Sequence, residues 1–489
     1  MRPLKNEPSR SLKEYRLLTG RTTAKTVMSS VNLRTRLCTS PNGKDFLYLN
    51  IPLMSAAMQA VSGTRLSVAL AQFGGISVLP CSIPVQEQVA IIKEVKRFKA
   101  GFQEDVTTFS KDDLIADAVK VMSTKGYHTF PITENGRSHG RLLGILSDRN
   151  FDPKEHVKNK IEKHMVKNVV TAREGISLPD ANKVMIKYGR SILPIVDSRK
   201  NLRYVVFKKD LEKHRNFPDE LVDHNKRYMI AAAVSTLPSD HSRIDALIKA
   251  GVDALIIDSS DGFSDFQIET LSYIRNKTRK IPVIGGNIIT KEGFFHLAEA
   301  GFDAVKVGMG IGSGCTTQEQ KGVGRGQASA LIDVCAARDE FYSNTNRYLP
   351  IISDGSISNP GQIVIALALG ADSVMMGRFF AQFSESEGGV RNHPQYGPLK
   401  EFWMEASARA RSYGRYETKP EFFFEEGVEG YVPHIGSIYD NLGQTLIKIK
   451  SALSNAGCKN IDELHKTAVL ELQSIASLQD AAVHDIITK

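Results

Sequence analysis

The chain has 489 residues, enough for about two or three folded units with a large buried core, so a short scaffold held by staples is excluded. With 42% hydrophobic and 24% charged residues and no apolar run near the roughly 18 residues a membrane span needs, disorder and membrane insertion also fall away. The net charge of +9 is spread along the chain with no dense basic block, which suits an anionic small molecule and requires no nucleic acid.

In chain order, short apolar runs predict strands at 51–54 and 75–79, then, after an insertion, at 229–234, 283–286 and 350–353. Three more follow a shared pattern, in which an apolar helical segment stops at a Gly and a β-rich run begins. They are Gly251-Val252-Asp253-Ala254-Leu255-Ile256-Ile257, Gly301-Phe302-Asp303-Ala304-Val305-Lys306-Val307 and Gly370-Ala371-Asp372-Ser373-Val374-Met375-Met376. Gly permits the left-handed residue that ends a helix, and an unbroken apolar run reads as a parallel strand buried on both faces. About eight βα units predict an α/β fold, a TIM (β/α)8 barrel; an open doubly wound sheet is the alternative.

The insertion, residues 101–217, divides the barrel into a first part, 1–100, and a second, 218–489. It is itself a repeat: Gly126-Tyr127-His128-Thr129-Phe130-Pro131-Ile132-Thr133 returns as Gly189-Arg190-Ser191-Ile192-Leu193-Pro194-Ile195-Val196 about 60 residues later. Each copy follows an amphipathic helix (114–122, 178–186) and precedes a short strand (142–146, 203–207). Two such units resemble a pair of CBS motifs, the Bateman module, which implies regulation by purine nucleotides. Neither copy keeps the Ser/Thr-x-x-Asp pair of that motif, since the strand ends read Ser147-Asp148-Arg149-Asn150 and Phe207-Lys208-Lys209-Asp210. A structural or oligomerisation lobe that binds nothing is the alternative.

After the sixth strand runs Gly308-Met309-Gly310-Ile311-Gly312-Ser313-Gly314-Cys315-Thr316-Thr317. Glycines at this density bring backbone N–H groups close to an anion and let a loop move. A Cys at the tip of such a loop, at the carboxyl end of a barrel strand, reads as a nucleophile. The other four cysteines, Cys38, Cys81, Cys335 and Cys458, sit in ordinary contexts; with no Cys-x-x-Cys, neither a disulfide framework nor a zinc site is indicated, and a resident metal stays unassigned.

Gly-x-Gly-Ser-x-Cys-x-Thr resembles the active-site loop of the IMP dehydrogenase and GMP reductase family. So do Ser55-Ala56-Ala57-Met58, Asp258-Ser259-Ser260, Gly285-Gly286-Asn287, Ser353-Asp354-Gly355-Ser356, Met376-Gly377-Arg378 and Glu425-Glu426-Gly427. The resemblance implies a covalent adduct between Cys315 and C2 of a purine nucleotide, with a nicotinamide exchanging hydride. It implies proton transfer by Thr317 and Glu426, and substrate contacts from Ser55, Met58, Asn287, Ser313, Asp354, Gly355, Ser356, Gly377 and Arg378. Asp354 would take the ribose hydroxyls, and Asp258, Ser259, Ser260, Gly308 and Gly310 would line the cofactor side. It also implies a homotetramer or octamer and an accessory monovalent cation such as K+.

The two activities share all of this, so the departures decide between them. Arg415-Tyr416 matches the pair by which dehydrogenases activate water on a mobile flap. Against that, Phe402-Trp403-Met404-Glu405-Ala406-Ser407 departs from the dehydrogenases' Tyr-Arg-Gly-Met-Gly-Ser, and Arg378 stands where Ser is usual. Cys315-Thr316-Thr317 is the usual reductase spelling, and some kinetoplastid reductases carry a CBS insertion. The sequence therefore leans to a GMP reductase using NADPH in purine salvage, the alternative being an IMP dehydrogenase using NAD. The start lacks an apolar signal core, so cytoplasm is expected; a glycosomal site is the variant, though Ile487-Thr488-Lys489 is not a Ser-Lys-Leu type tripeptide.

Overall fold

The computed structural model describes residues 5, 7–40, 43, 45–97, 106–125, 128–208, 217–411 and 424–481. Eight parallel strands close into a barrel: β1 (Leu53–Ser55), β2 (Ile76–Leu79), β3 (Ala231–Val234), β4 (Ala254–Ile257), β5 (Val283–Ile288), β6 (Ala304–Val307), β7 (Ile351–Asp354) and β8 (Ser373–Met376). Neighbours in sequence are neighbours in the sheet, and β8 closes on β1 with Val374 opposite Leu53. The eight predicted runs are these eight strands. Helices α1 (Thr64–Phe73), α2 (Val85–Arg97), α3 (His241–Ala250), α4 (Asp265–Lys277), α5 (Lys291–Ala300), α6 (Gln327–Thr345), α7 (Pro360–Ala368) and α8 (Ile438–Asn455) follow the strands in turn.

Every residue of the eight strands is buried except two, Asn287 and Asp354, both at carboxyl ends. Side chains that face inward fill the barrel and those that face outward meet helices, which is why the runs are continuously apolar rather than alternating.

The repeated Gly-x-Asp pattern has a structural purpose beyond stopping the helix. Gly251 and Gly301 end α3 and α5 in the left-handed conformation, at φ 89° and 98°. Two residues on, each Asp then locks onto the start of the preceding strand. The Asp253, Asp303 and Asp372 amides donate to the Ile230, Val283 and Ile351 carbonyls, and their carboxylates accept the amides of those same residues at 2.8, 2.7 and 2.9 Å. Each Asp thus satisfies two backbone groups that a strand end would otherwise leave unpaired. The clamps join β3 to β4, β5 to β6, and β7 to β8.

Residues 96–228 form a second compact unit. Within it, one three-stranded sheet comprises Phe109–Ser110, Thr129–Thr133 and Leu142–Ser147 with the helix Ile115–Lys125; the other comprises Ala172–Arg173, Ile192–Val196 and Leu202–Phe207 with the helix Leu178–Lys187. Both have the same strand order and the same parallel and antiparallel pairings. The copies meet at equivalent turns, where the Leu142 amide donates to the Lys200 carbonyl and the Leu202 amide to the Gly140 carbonyl.

Candidate active site

The predicted site residues follow the carboxyl ends of six barrel strands, where βα loops converge. Ser55 ends β1, Asp258 follows β4, Asn287 is the penultimate residue of β5, Gly308 follows β6, Asp354 ends β7 and Gly377 follows β8. Backbone crowding explains the glycines. At Gly308, φ is 141° and a Cβ would lie 2.0 Å from the Asp354 carbonyl; at Gly377 it would lie 2.6 Å from Met58 Sδ. The glycine loops therefore let the β6 and β7 ends, and the β8 end and Met58, approach closer than any side chain allows.

Cys315 is the only one of the five cysteines that is not buried. Burial pushes the Cys335 thiol up to about 12 and the Cys38 thiol well above its ordinary value, which makes both inert. Cys315 Sγ stands 3.1 Å from Thr317 Oγ1, which donates to Glu426 Oε2 at 2.8 Å. Lys321 Nζ meets the other Glu426 oxygen at 3.4 Å. Backbone pairing sets this geometry: the Thr316 amide donates to the Glu426 carbonyl and the Val428 amide to the Gly314 carbonyl, so residues 426–428 run antiparallel to the cysteine loop. A thiol, a hydroxyl and a carboxylate in one line can form a covalent adduct and relay a proton.

The second cluster is ionic. Lys306, buried in β6, places its ammonium 2.7 Å from Asp354 Oδ2 and 3.2 Å from Asp258 Oδ1. Burial opposes its charge, yet the Asp354 and Asp258 carboxylates outweigh burial and raise its pKa above the ordinary lysine value. Asn287 Nδ2 donates to the same Asp354 oxygen at 3.1 Å and to the Gly308 carbonyl. Asp354 Oδ1 has no partner among the described residues, and Asn287 Oδ1 is buried and unpaired. Two acceptors waiting for donors beside a glycine cradle fit a ribose with its hydroxyls. Asp258, with the turn formed by Ser259 and Asp261, offers a further carboxylate on the β4 side for a second ribosyl group. These acceptors fit ligands that present hydroxyl groups, such as ribosyl groups.

Other predicted residues have local roles. Ser55 Oγ pairs with Ser62 Oγ at 2.7 Å, Ser313 is exposed on the cysteine loop, and Gly355 packs against Ile311. Ser356 holds a left-handed φ of 60°, Gly310 a φ of 73°, Ser260 is exposed, and Arg378 begins the short helix Arg378–Ala381. Arg415 and Tyr416, and with them most of the expected flap, lie outside the described residues.

Three residues escaped the sequence reading. Lys306 carried a signal, a charge inside an apolar strand. Lys321 did not stand out in a polar loop. Met404 was visible only as a departure from a family segment, yet it packs against Gly312, Gly314 and Gly427, the backbone that presents Cys315. Its neighbour Glu405 is buried and accepts from the Gln59 amide and from Ser82 Oγ, tying this segment to the β1 and β2 loops.

A family model described as the IMP dehydrogenase / GMP reductase domain matches residues 13–484. The chain is 41% identical to inosine-5'-monophosphate dehydrogenase from Tritrichomonas foetus over 99% of this chain and 97% of that one. It is 34% identical to the Schizosaccharomyces pombe protein of the same name, over 94% and 89%. Among solved structures, GMP reductase from Trypanosoma brucei in complex with guanosine 5'-monophosphate superposes with a TM-score of 0.84 at 26% identity, over 98% of each chain.

Proposed function

From the premise that the chain belongs to the IMP dehydrogenase / GMP reductase family of purine nucleotide oxidoreductases, we propose that it oxidises IMP to XMP with NAD. The observation that carries the chemistry is the line from Cys315 Sγ through Thr317 Oγ1 to Glu426. What supports the oxidative direction is 41% identity to a dehydrogenase across nearly the whole chain, against 26% to a reductase, whose backbone likeness both activities share. Arg415-Tyr416, the expected water-activating pair, supports the same direction. This reverses the order in which the sequence alone ranks the two reactions. GMP reduction with NADPH is the second reading, supported by the T. brucei structure.

Cys315 attacks C2 of the purine, and the Sγ–C2 bond forms as hydride leaves that carbon. A nicotinamide dinucleotide bound on the Asp258 side supplies the hydride acceptor. Asp354 Oδ1 and Asn287 Oδ1 receive ribose hydroxyls and fix the base over Cys315; a deoxyribose would leave part of that pairing unmade. Thr317 and Glu426 then take the proton of the water that adds at C2, and the Sγ–C2 bond breaks to release product and restore the cysteine. In the reductase reading the same pair delivers the proton that ammonia carries away.

The 96–228 unit serves, in this reading, as a CBS pair that binds purine nucleotides and tunes a tetramer or octamer. Ser147, at the strand end where the first copy departs from the motif, caps residues 148–150, and Asp148 pairs with His128 at 3.2 Å, so a ligand there must displace local contacts. Lys209 and Asp210 of the second copy lie outside the described residues.

The test is direct: purified protein is mixed with IMP plus NAD, and separately with GMP plus NADPH, and the absorbance of reduced nicotinamide is followed. A rise only in the first supports the dehydrogenase; a fall only in the second overturns it. Deleting residues 101–217 should leave turnover intact and abolish any response to ATP or GTP.

A further inference from the structure

Only two of the residues in the eight barrel strands are charged, Lys306 and Asp354. Lys306 lies in the interior of β6 and is buried. Its neighbour across the sheet is Gly286, where an added Cβ would lie 2.8 Å from Lys306 Cβ and 2.6 Å from its carbonyl oxygen. The β5 backbone thus approaches β6 closely at Lys306.

We propose that Lys306 is a positioning residue that couples the two nucleotide sites, its single ammonium shared between the carboxylate that receives the substrate ribose and the carboxylate that faces the dinucleotide. The inference rests on the reading of Asp354 and Asp258 given above. Both carboxylate oxygens touch one nitrogen, so they lie within about 6 Å of each other in a buried setting, where their repulsion is strong without a shared cation. Asp354 Oδ2 is already engaged by Lys306 and Asn287. Ribose hydroxyls arriving at Asp354 draw its charge toward the ligand and weaken its hold on the ammonium. The ammonium, buried and with no other described acceptor, then leans on Asp258 and fixes that carboxylate for the second ligand. Each nucleotide therefore strengthens binding of the other, by the same factor in both directions.

The experiment uses full-length Cys315→Ala protein, which binds both nucleotides without turnover. IMP and NAD are titrated alone and each in the presence of the other. The expected coupling is about five- to tenfold in this background and close to none after Lys306→Met. Asp258→Asn, which does not depend on the lysine variant folding, should weaken IMP severalfold although Asp258 lies outside the substrate site. Coupling that persists in Lys306→Met, or IMP affinity unmoved by Asp258→Asn, overturns the proposal. Asp354→Asn separates the two levels: if it leaves IMP affinity unchanged, the site reading itself fails and the coupling with it. If it weakens IMP while Lys306→Met keeps the coupling, only the coupling fails.

Discussion

The two ends of the barrel use the same residue type in opposite ways. At the amino ends of the strands, Asp303 and Asp372 are buried and closed. Asp303 is held by the Val283 amide and Arg275, and Asp372 by the Ile351 amide, the Tyr348 hydroxyl and Arg338. At the carboxyl ends, Asp354 keeps one oxygen, and Asn287 beside it a buried acceptor, without a partner among the described residues. A carboxylate whose hydrogen bonds are all made within the protein holds strands together; one that is half satisfied is held ready for a ligand. The difference lies in the partners, and partners belong to topology rather than to residue type.

Substitutions at the two ends should therefore move different observables. Cys315→Ala should abolish turnover in either direction while nucleotide affinity stays within about tenfold, measured by initial rates and by equilibrium titration, because the proposed ribose and phosphate contacts lie elsewhere. Retained turnover in the purified variant would remove the cysteine from the mechanism. Glu426→Gln should cost about 10²- to 10⁴-fold in kcat with little change in unfolding midpoint, since it removes the proton acceptor behind Thr317 but no core contact. At the closed end, Asp372→Ala should lower stability by about 2–4 kcal/mol in urea denaturation, because it leaves the Ile351 amide and the Tyr348 hydroxyl without their acceptor and removes one of the two carboxylates beside the buried Arg338. The KM of any folded fraction should not change; a KM defect without loss of stability would erase the contrast between the ends.

The smallest effect concerns Lys400, buried on the strand Gly397–Trp403 with its ammonium on the Ser386 carbonyl. Burial, with Arg65 nearby, lowers its pKa from 10.5 to about 8. Below about pH 8 it is charged both folded and unfolded, and its burial is a cost. Between about pH 8 and 10.5 the folded state loses the proton first, so the unfolded state binds more protons and stability rises. Comparing urea midpoints of the wild type and Lys400→Met across this window isolates the effect from other groups, and a difference that stays flat would exclude it.

The barrel was legible because every strand shows an apolar run of the right length, and three of them also follow the Gly-x-Asp pattern. Cys315 and Thr317 stood out because the glycines around them offer no apolar side chains to bury a thiol. The clamp aspartates were visible as a repeat, but their bonds were not, since the partner of Asp253 lies 23 residues earlier in the chain and no local pattern names it. Lys306 was read as part of a buried strand because periodicity weighs a run as a whole; only the closed barrel brings Asp258 and Asp354 to one nitrogen. The sheet of Val390–His393, Gly397–Trp403 and Glu429–Pro433 was missed because its first strand is exposed throughout and carries no alternation.

The clamps have a consequence for where the chain can be opened. They bind β3 to β4, β5 to β6 and β7 to β8, while the start of β1 meets β2 differently, through the Asn50 and Ile51 amides on the Gly74 carbonyl. The barrel is thus a set of two-strand modules separated by seams, and the 96–228 unit enters at the seam between β2 and β3. A guest domain or a split point placed between β4 and β5 leaves every aspartate lock inside one continuous piece of polypeptide. The same break between β5 and β6 turns a lock into a contact between fragments, which must then find each other before the barrel can close.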